Sequence, residues 1–320
     1  MFRRALLNFL FCLLGSAFYL PSASKACQEV VLISSNSHLE MIHRIEAALF
    51  THVAHKPKLV YFVSDKLPPA ADYPQQSCLT VTLGAHALTA ALKAKLPFPI
   101  LSVLIRKSTF LEIINEYRLP FSKVSAIYLD QPLSRQLALL QHLLAKEEKR
   151  SIGVLLGAQS LAEQEQLQRL ARKANLALTS IYINQFENPV SVLDLLLDET
   201  DAVLAIPDSR IYHPKTVRGI LLTSFRRHIP LIGYSQAFVN QGALAAVYAT
   251  PKQIAQQTAR AIIEQIKNPE KMLPSPAYAQ DFTVTVNTQV ARSLGIAIES
   301  EADLKYGIEK MEKSTIQVNT

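Results

Sequence analysis

Residues 233–237 read "GYSQA". They stop one letter short of the Gly-x-Ser-x-Gly turn that presents a nucleophilic serine between a strand and a helix. That chemistry needs a base and a carboxylate beside Ser235, and a chain with several aspartates and 8 histidines always offers such a set on paper. Gln236, Phe238 and Gly242 read instead as an irregular chain crossing, so no enzyme is expected. The sequence has no Gly-x-x-x-x-Gly-Lys-Ser/Thr loop, no Gly-x-Gly-x-x-Gly after the first strand and no Cys-x-x-Cys, so no cofactor is expected either. His52 and His55 share a helix face, with His38 and His43 upstream. Cations are favoured at a helix C-terminus without any metal, and no carboxylate or thiol stands at ligand spacing, so no metal is expected.

The elements around these residues alternate. "EVVLIS" at 29–34 is a buried-type strand, and Ser37 to Glu40 has the form of a capping box opening a helix through about Ala54. Further strands are expected at Lys58–Val63, Leu79–Leu83 and Pro99–Ile105, with a helix from Ala85. After residue 123 the pattern restarts with strands at Val124–Leu129, Ile152–Leu156, Leu176–Ile183, Ala202–Ile206 and Ile229–Gly233, separated by helices. Ala243–Ala249 and Phe282–Asn287 are leftover strands. Strand-helix-strand repetition of this kind builds parallel sheets. With 320 residues, 49% of them hydrophobic, and only 18% charged, the chain can bury a core large enough for two lobes.

The first 26 residues have two arginines, an apolar run from Ala5 to Leu20, Pro21 and a small-residue ending, the form of a secretory signal peptide. Its removal takes away Arg3, Arg4 and Lys25 and lowers the formal charge of +7 by three, too mild a balance to specify a partner. No basic run with interleaved aromatics points to nucleic acid. Cleavage leaves Cys27 and Cys78. Two cysteines in an oxidising compartment suggest a disulfide, with a free or lipidated Cys27 as the alternative. In the strand order 2-1-3-4-5 the first and third strands are neighbours, and Cys27 and Cys78 stand at their matching N-terminal ends.

The stretches "YLDQPLSRQLALLQHLL", "SIGVLLG" and "AVLAIPDSRIYHPKTVRGILLTSFRRHIPLIGYSQAFVNQGALAAVYATPKQIAQQ" resemble the ABC transporter substrate-binding proteins of the periplasmic binding protein type I fold. The resemblance covers roughly residues 124–267 and extends by pattern alone over the N-terminal lobe. It implies an α/β protein of two doubly wound parallel-sheet lobes joined by three hinge crossings, closing on a small ligand. The crossings would fall near Val124–Gln131, Gln236–Gly242 and Leu273–Asp281. The lobes would then comprise 27–123 with 243–272, and 124–242 with 273–300, leaving 301–320 as a charged tail.

Ligands of open α/β sheets bind outside the carboxyl ends of the strands. The first lobe therefore offers Ser34, Ser35, Asn36, Gly84, Ala85, His86 and Arg106. Gly84 permits close backbone approach, and the Ala85 and His86 amides open a helix and suit a carboxylate. The second lobe offers Gly157 to Gln159, Asp208, Ser209, Tyr234 and Ser235. Asp208 could meet an ammonium group, and Tyr128 and Tyr248 near the crossings could stack on an apolar part of the ligand. Simple helix capping, turn capping and core packing are the competing roles for these residues. Anion-binding amides opposite an acid suit an amino-acid-like or organic-acid solute. The expected product is an exported periplasmic monomer that presents its small-molecule ligand to an ABC permease. A ligand-sensing subunit of a membrane receptor and a Ser235 hydrolase are the alternatives.

Overall fold

The computed structural model describes residues 27–51, 57–74, 76–144 and 151–318. The expected signal peptide, and His52 and His55, lie outside them. One sheet contains β1 (Glu29–Ser34), β2 (Lys58–Val63), β3 (Ser77–Leu83), β4 (Ile100–Ile105), β5 (Val124–Tyr128) and the two-residue β11 (Ala277–Tyr278). Its order is β11-β5-β4-β3-β1-β2, parallel throughout. The other contains β6 (Ser151–Leu156), β7 (Ala177–Tyr182), β8 (Ala202–Leu204), β9 (Leu231–Gly233), β10 (Ala245–Tyr248) and β12 (Thr283–Val286). Its order, β12-β10-β9-β8-β6-β7, repeats the first, with β12 antiparallel at the edge.

The strands are continuous apolar runs because helices cover both faces. On the first sheet, α1 (Leu39–Phe50) and α9 (Pro251–Lys267) bury one face, and α2 (Ala85–Lys93) and α3 (Lys107–Tyr117) the other. On the second, α4 (Leu133–Leu143), α5 (Gln164–Lys173), α10 (Thr288–Ser293) and α11 (Glu301–Val318) bury one face. There α6 (Pro189–Leu197), α7 (Val217–Arg226) and α8 (Gln236–Gln241) bury the other.

Several expectations change. Val124–Tyr128 belongs to the first sheet and Ala245–Tyr248 to the second, the reverse of the expected assignment. The reason lies in the pairing: β5 hydrogen-bonds to β4 and β10 to β9, so each strand completes the lobe that precedes it and the chain changes lobe at its C-terminal end. Among the described residues it passes between the sheets three times, at 129–132, 249–250 and 279–282. Gln236–Gln241 is a helix and no crossing, capped by the Ser235 side chain and ended by Gly242 at φ +120°. The Ser37 capping box does not form: α1 begins at Leu39, and Glu40 pairs with Arg44 at 2.6 Å instead. The expected C-terminal tail is a docked helix, because Leu304 and Ile308 on one side of α11 reach the second core.

The crossings are bonded to one another. Arg135 on α4 donates to Gln131 Oε1 at 2.8 Å, Ala279 O at 2.7 Å, Gln280 O at 3.2 Å and Glu312 Oε1 at 2.7 Å. Its guanidinium lies 4.4 Å from the centre of the Phe282 ring. From the other side, Gln253 of the Thr250 capping box accepts from Thr283 at 3.2 Å, and Gln257 accepts from Gln280 N at 2.8 Å. Arg260 adds an ion pair to Asp281.

Cys27 and Cys78 form a disulfide, with Cα atoms 5.4 Å apart. The β1–β3 register slips between Glu29 and Val30, leaving Cys78 as the extra residue of a bulge beside Cys27. The bond closes a separation of 51 residues, worth about 4 kcal/mol in the chain-entropy account. It lies at the N-terminal ends of the strands, away from Ser34 and Gly84. Cys27→Ser is therefore expected to lower the denaturant midpoint by roughly that stability while leaving ligand affinity unchanged; an equal midpoint would show that the bond adds nothing.

Candidate functional site

The C-terminal ends of the two sheets face each other across a cleft lined by residues of both lobes. From the first lobe, Arg106, Ser108, Asp130 and Tyr278 line it. From the second come Gln159, Ser160, Glu163, Ile206 and Pro207. Gln131, Leu133 and Gln136 form the hinge end, where the first crossing runs into α4.

Arg106 owes its position to an irregular strand. Leu104 adopts φ +56° inside β4, and the β4–β5 register slips between Val103 and Ile105. Such a left-handed leucine costs on the order of 1–3 kcal/mol, and the bulge resets the inward-outward alternation so that Ile105 packs toward α3 and Arg106 emerges into the cleft.

Asp130 follows β5 directly and accepts from Lys107 N at the start of α3, 3.0 Å away. Burial pushes its pKa up, and the like charge of Glu163 from the opposite lobe adds to this; the Lys107 amide and Arg106 oppose it. Tyr128 packs edge-on against Phe110 and Tyr278, and burial, then Asp130, push its pKa up to about 12. Burial likewise raises Tyr278, helped by Asp130 and Glu163. Tyr234 on the second lobe is raised by burial, while Arg106 across the cleft pulls the other way. The cleft thus holds one guanidinium, two carboxylates from opposite lobes and the neutral phenol of Tyr278. This equipment suits holding a polar solute with charges of both signs.

The residues expected at strand ends divide. Arg106 lines the cleft, and Tyr234 lies within reach of its charge. Ser34 is buried, and Ser35 Oγ bonds Ser37 and His38. Asn36 lies in a short turn before α1. Gly84 takes φ +87° and leads into α2 through Ala85, while His86 turns outward to Asp65 at 2.6 Å. Tyr248 is buried and its hydroxyl bonds Thr285 at 2.9 Å, tying β10 to β12 instead of offering a stacking face. Ser235 has an extended backbone at φ −157° and caps α8, unlike a strained nucleophile turn. Ser209 donates twice to Gln159 Oε1 and steadies it.

Asp208 is the main correction. Its carboxylate is fully buried and accepts from Gln159 N, Ser160 N, Ser160 Oγ and Arg210 N at 2.9–3.1 Å. Those donors occupy both oxygens, so it organises the loop after β6 and is not presented to a ligand ammonium. Gly157 is required there, since a Cβ would come within 2.7 Å of Asp208 Oδ2. Sequence reasoning missed Asp130, Gln131, Gln136, Glu163 and Tyr278. The first two follow β5 as Arg106 follows β4, so the strand-end rule reaches them once Val124–Tyr128 is placed in the first sheet.

Residues 77–309 match the family described as ABC transporter substrate binding protein. The chain belongs to that family. Solved structures share its two-lobed fold. One is a ligand-free, open substrate binding protein with adhesive properties from Clostridium difficile, with TM-score 0.67 and 15% identity over 85% of this chain and 96% of that one. A conserved domain protein from Vibrio cholerae gives TM-score 0.58 and 17% identity over 86% and 96%. An ABC domain in complex with L-Trp from Streptococcus pneumoniae gives TM-score 0.58 and 17% identity over 85% and 96%. No curated protein matches the chain. Among the described residues no helix is long and apolar enough to cross a membrane, and no group of three His, Cys, Asp or Glu could hold a metal ion.

Asp208→Asn is expected to turn an amide donor onto the loop's N–H groups and destabilise the fold by at least about 1–3 kcal/mol. Urea unfolding with an unchanged m-value checks this; full stability would show that the loop does not depend on the carboxylate.

Proposed function

We propose that this family member captures a small zwitterionic solute of amino-acid type between its lobes and delivers it to an ABC permease. The observation that carries this reading is the opposition of Arg106 and Asp130 on one lobe to Glu163 on the other within one cleft. The guanidinium suits a carboxylate and the two acids suit an ammonium, and neither lobe alone surrounds a ligand. The L-Trp held by the pneumococcal neighbour is compatible with such a solute. The disulfide and the signal-like N-terminus are compatible with export to the periplasm.

A thermal-shift screen of amino acids and small organic acids on residues 27–320 tests the reading. A ligand at a hundredfold excess over Kd should add about 2.7 kcal/mol of stability without being consumed. No shift with any member, or turnover abolished by Ser235→Ala, would overturn it. Small-angle scattering with the identified ligand should give a smaller radius of gyration, as hinge closure requires.

The raised pKa of Asp130 sets a pH dependence. In the free protein the acid holds its proton more tightly than usual, and a bound ammonium lowers its pKa, so binding releases a proton. Affinity should be full above the free-state pKa and fall as pH drops through it. Calorimetry across pH 4–8 in Asp130→Asn should lose this slope; an identical slope would remove Asp130 from the site.

A further inference from the structure

Two buried amides at the hinge end of the cleft have an atom without a partner. Gln131 is 5% exposed and Gln136 1% exposed, and both line the cleft. Gln131 Nε2 and Gln136 Oε1 are buried with no hydrogen bond. Leaving a buried donor or acceptor unmade is costly, so two such atoms in one cleft lining call for a partner.

The orientation of Gln131 is not arbitrary. Its oxygen accepts from Arg135 at 2.8 Å, and a guanidinium can only donate. The amide cannot flip without setting N–H against N–H, so Nε2 is left as the free donor. Five residues on, in α4, Gln136 Oε1 is the unpaired acceptor. A donor and an acceptor lining one cleft complement a neutral edge that carries one of each. The surroundings disfavour a second anion on the ligand, since Asp130 and Glu163 already outnumber Arg106.

We infer that Gln131 and Gln136 determine specificity by reading a primary carboxamide or equivalent donor–acceptor edge at the distal end of the ligand. Its carbonyl would accept from Gln131 Nε2 and its amino group would donate to Gln136 Oε1. This rests on the zwitterion reading of the same cleft and narrows it. A site built on paired hydrogen bonds rejects analogues that lack them far more strongly than an apolar pocket rejects a changed methylene.

Calorimetry on residues 27–320 with L-glutamine and L-asparagine, their acids L-glutamate and L-aspartate, and L-methionine tests the inference. The amides should bind at least roughly 100-fold tighter than the acids and methionine. Gln131→Glu keeps an oxygen for Arg135 and removes the donor; Gln136→Leu removes the acceptor at similar volume. Each should cut the preference for amide over acid by about tenfold or more, one good hydrogen bond's worth, with the ligand-free melting temperature nearly unchanged. Acids or methionine binding as tightly as the amides would overturn the inference, as would an unaltered preference in both variants. If none of the five binds while another solute shifts melting in the screen, the inference falls and solute capture stands; if no solute shifts melting, both fall.

Discussion

Arg135 is the residue on which the two-lobed arrangement depends. A buried guanidinium is tolerated only where its donors are met, and here they are met by Gln131 in the first crossing and by Ala279 and Gln280 in the third. Glu312 on the C-terminal helix neutralises the charge. Removing one partner of such a buried ion pair typically costs about 3–5 kcal/mol, so these segments are held to one geometry although they lie far apart in sequence. The second crossing joins them through Gln253, Gln257 and Arg260 of α9.

This cluster also connects the hinge to the cleft. The amide that Arg135 holds also lines the cleft, so a solute contact proposed at Gln131 would act on the residue that binds the crossings together. The lobes place their charges to match. Arg106 is delivered by a strained bulge in β4, Asp130 by the end of β5, and Glu163 by a turn following the loop that Asp208 organises. Each group is held by elements of its own lobe, so bringing the lobes together brings the charges together.

The α/β class was legible because strand-helix alternation reports local periodicity, the two hinged lobes came from the family resemblance, and the disulfide was legible because the usual doubly wound order sets the first strand beside the third and so Cys27 beside Cys78. The rule that ligands meet strand ends singles out Arg106, which lines the cleft. It failed at Asp208, where the residue does follow a strand but its carboxylate turns back onto Gln159 and Ser160. A sequence shows that an acid stands in a loop and not which backbone amides will surround it.

Sequence by itself determined the elements, their alternation and the family resemblance, because these depend on residue type and short spacing. Tertiary structure alone decided that β5 belongs to the first sheet and β10 to the second, since sheet membership depends on pairing partners and not on residue type. It also decided the use of Tyr278, whose two-residue strand is too short for any periodicity to register. The meeting of Asp130 with Glu163, and of Arg135 with Glu312, is likewise a product of packing: 33 and 177 residues separate these pairs, and only the closing of three crossings brings them into one field.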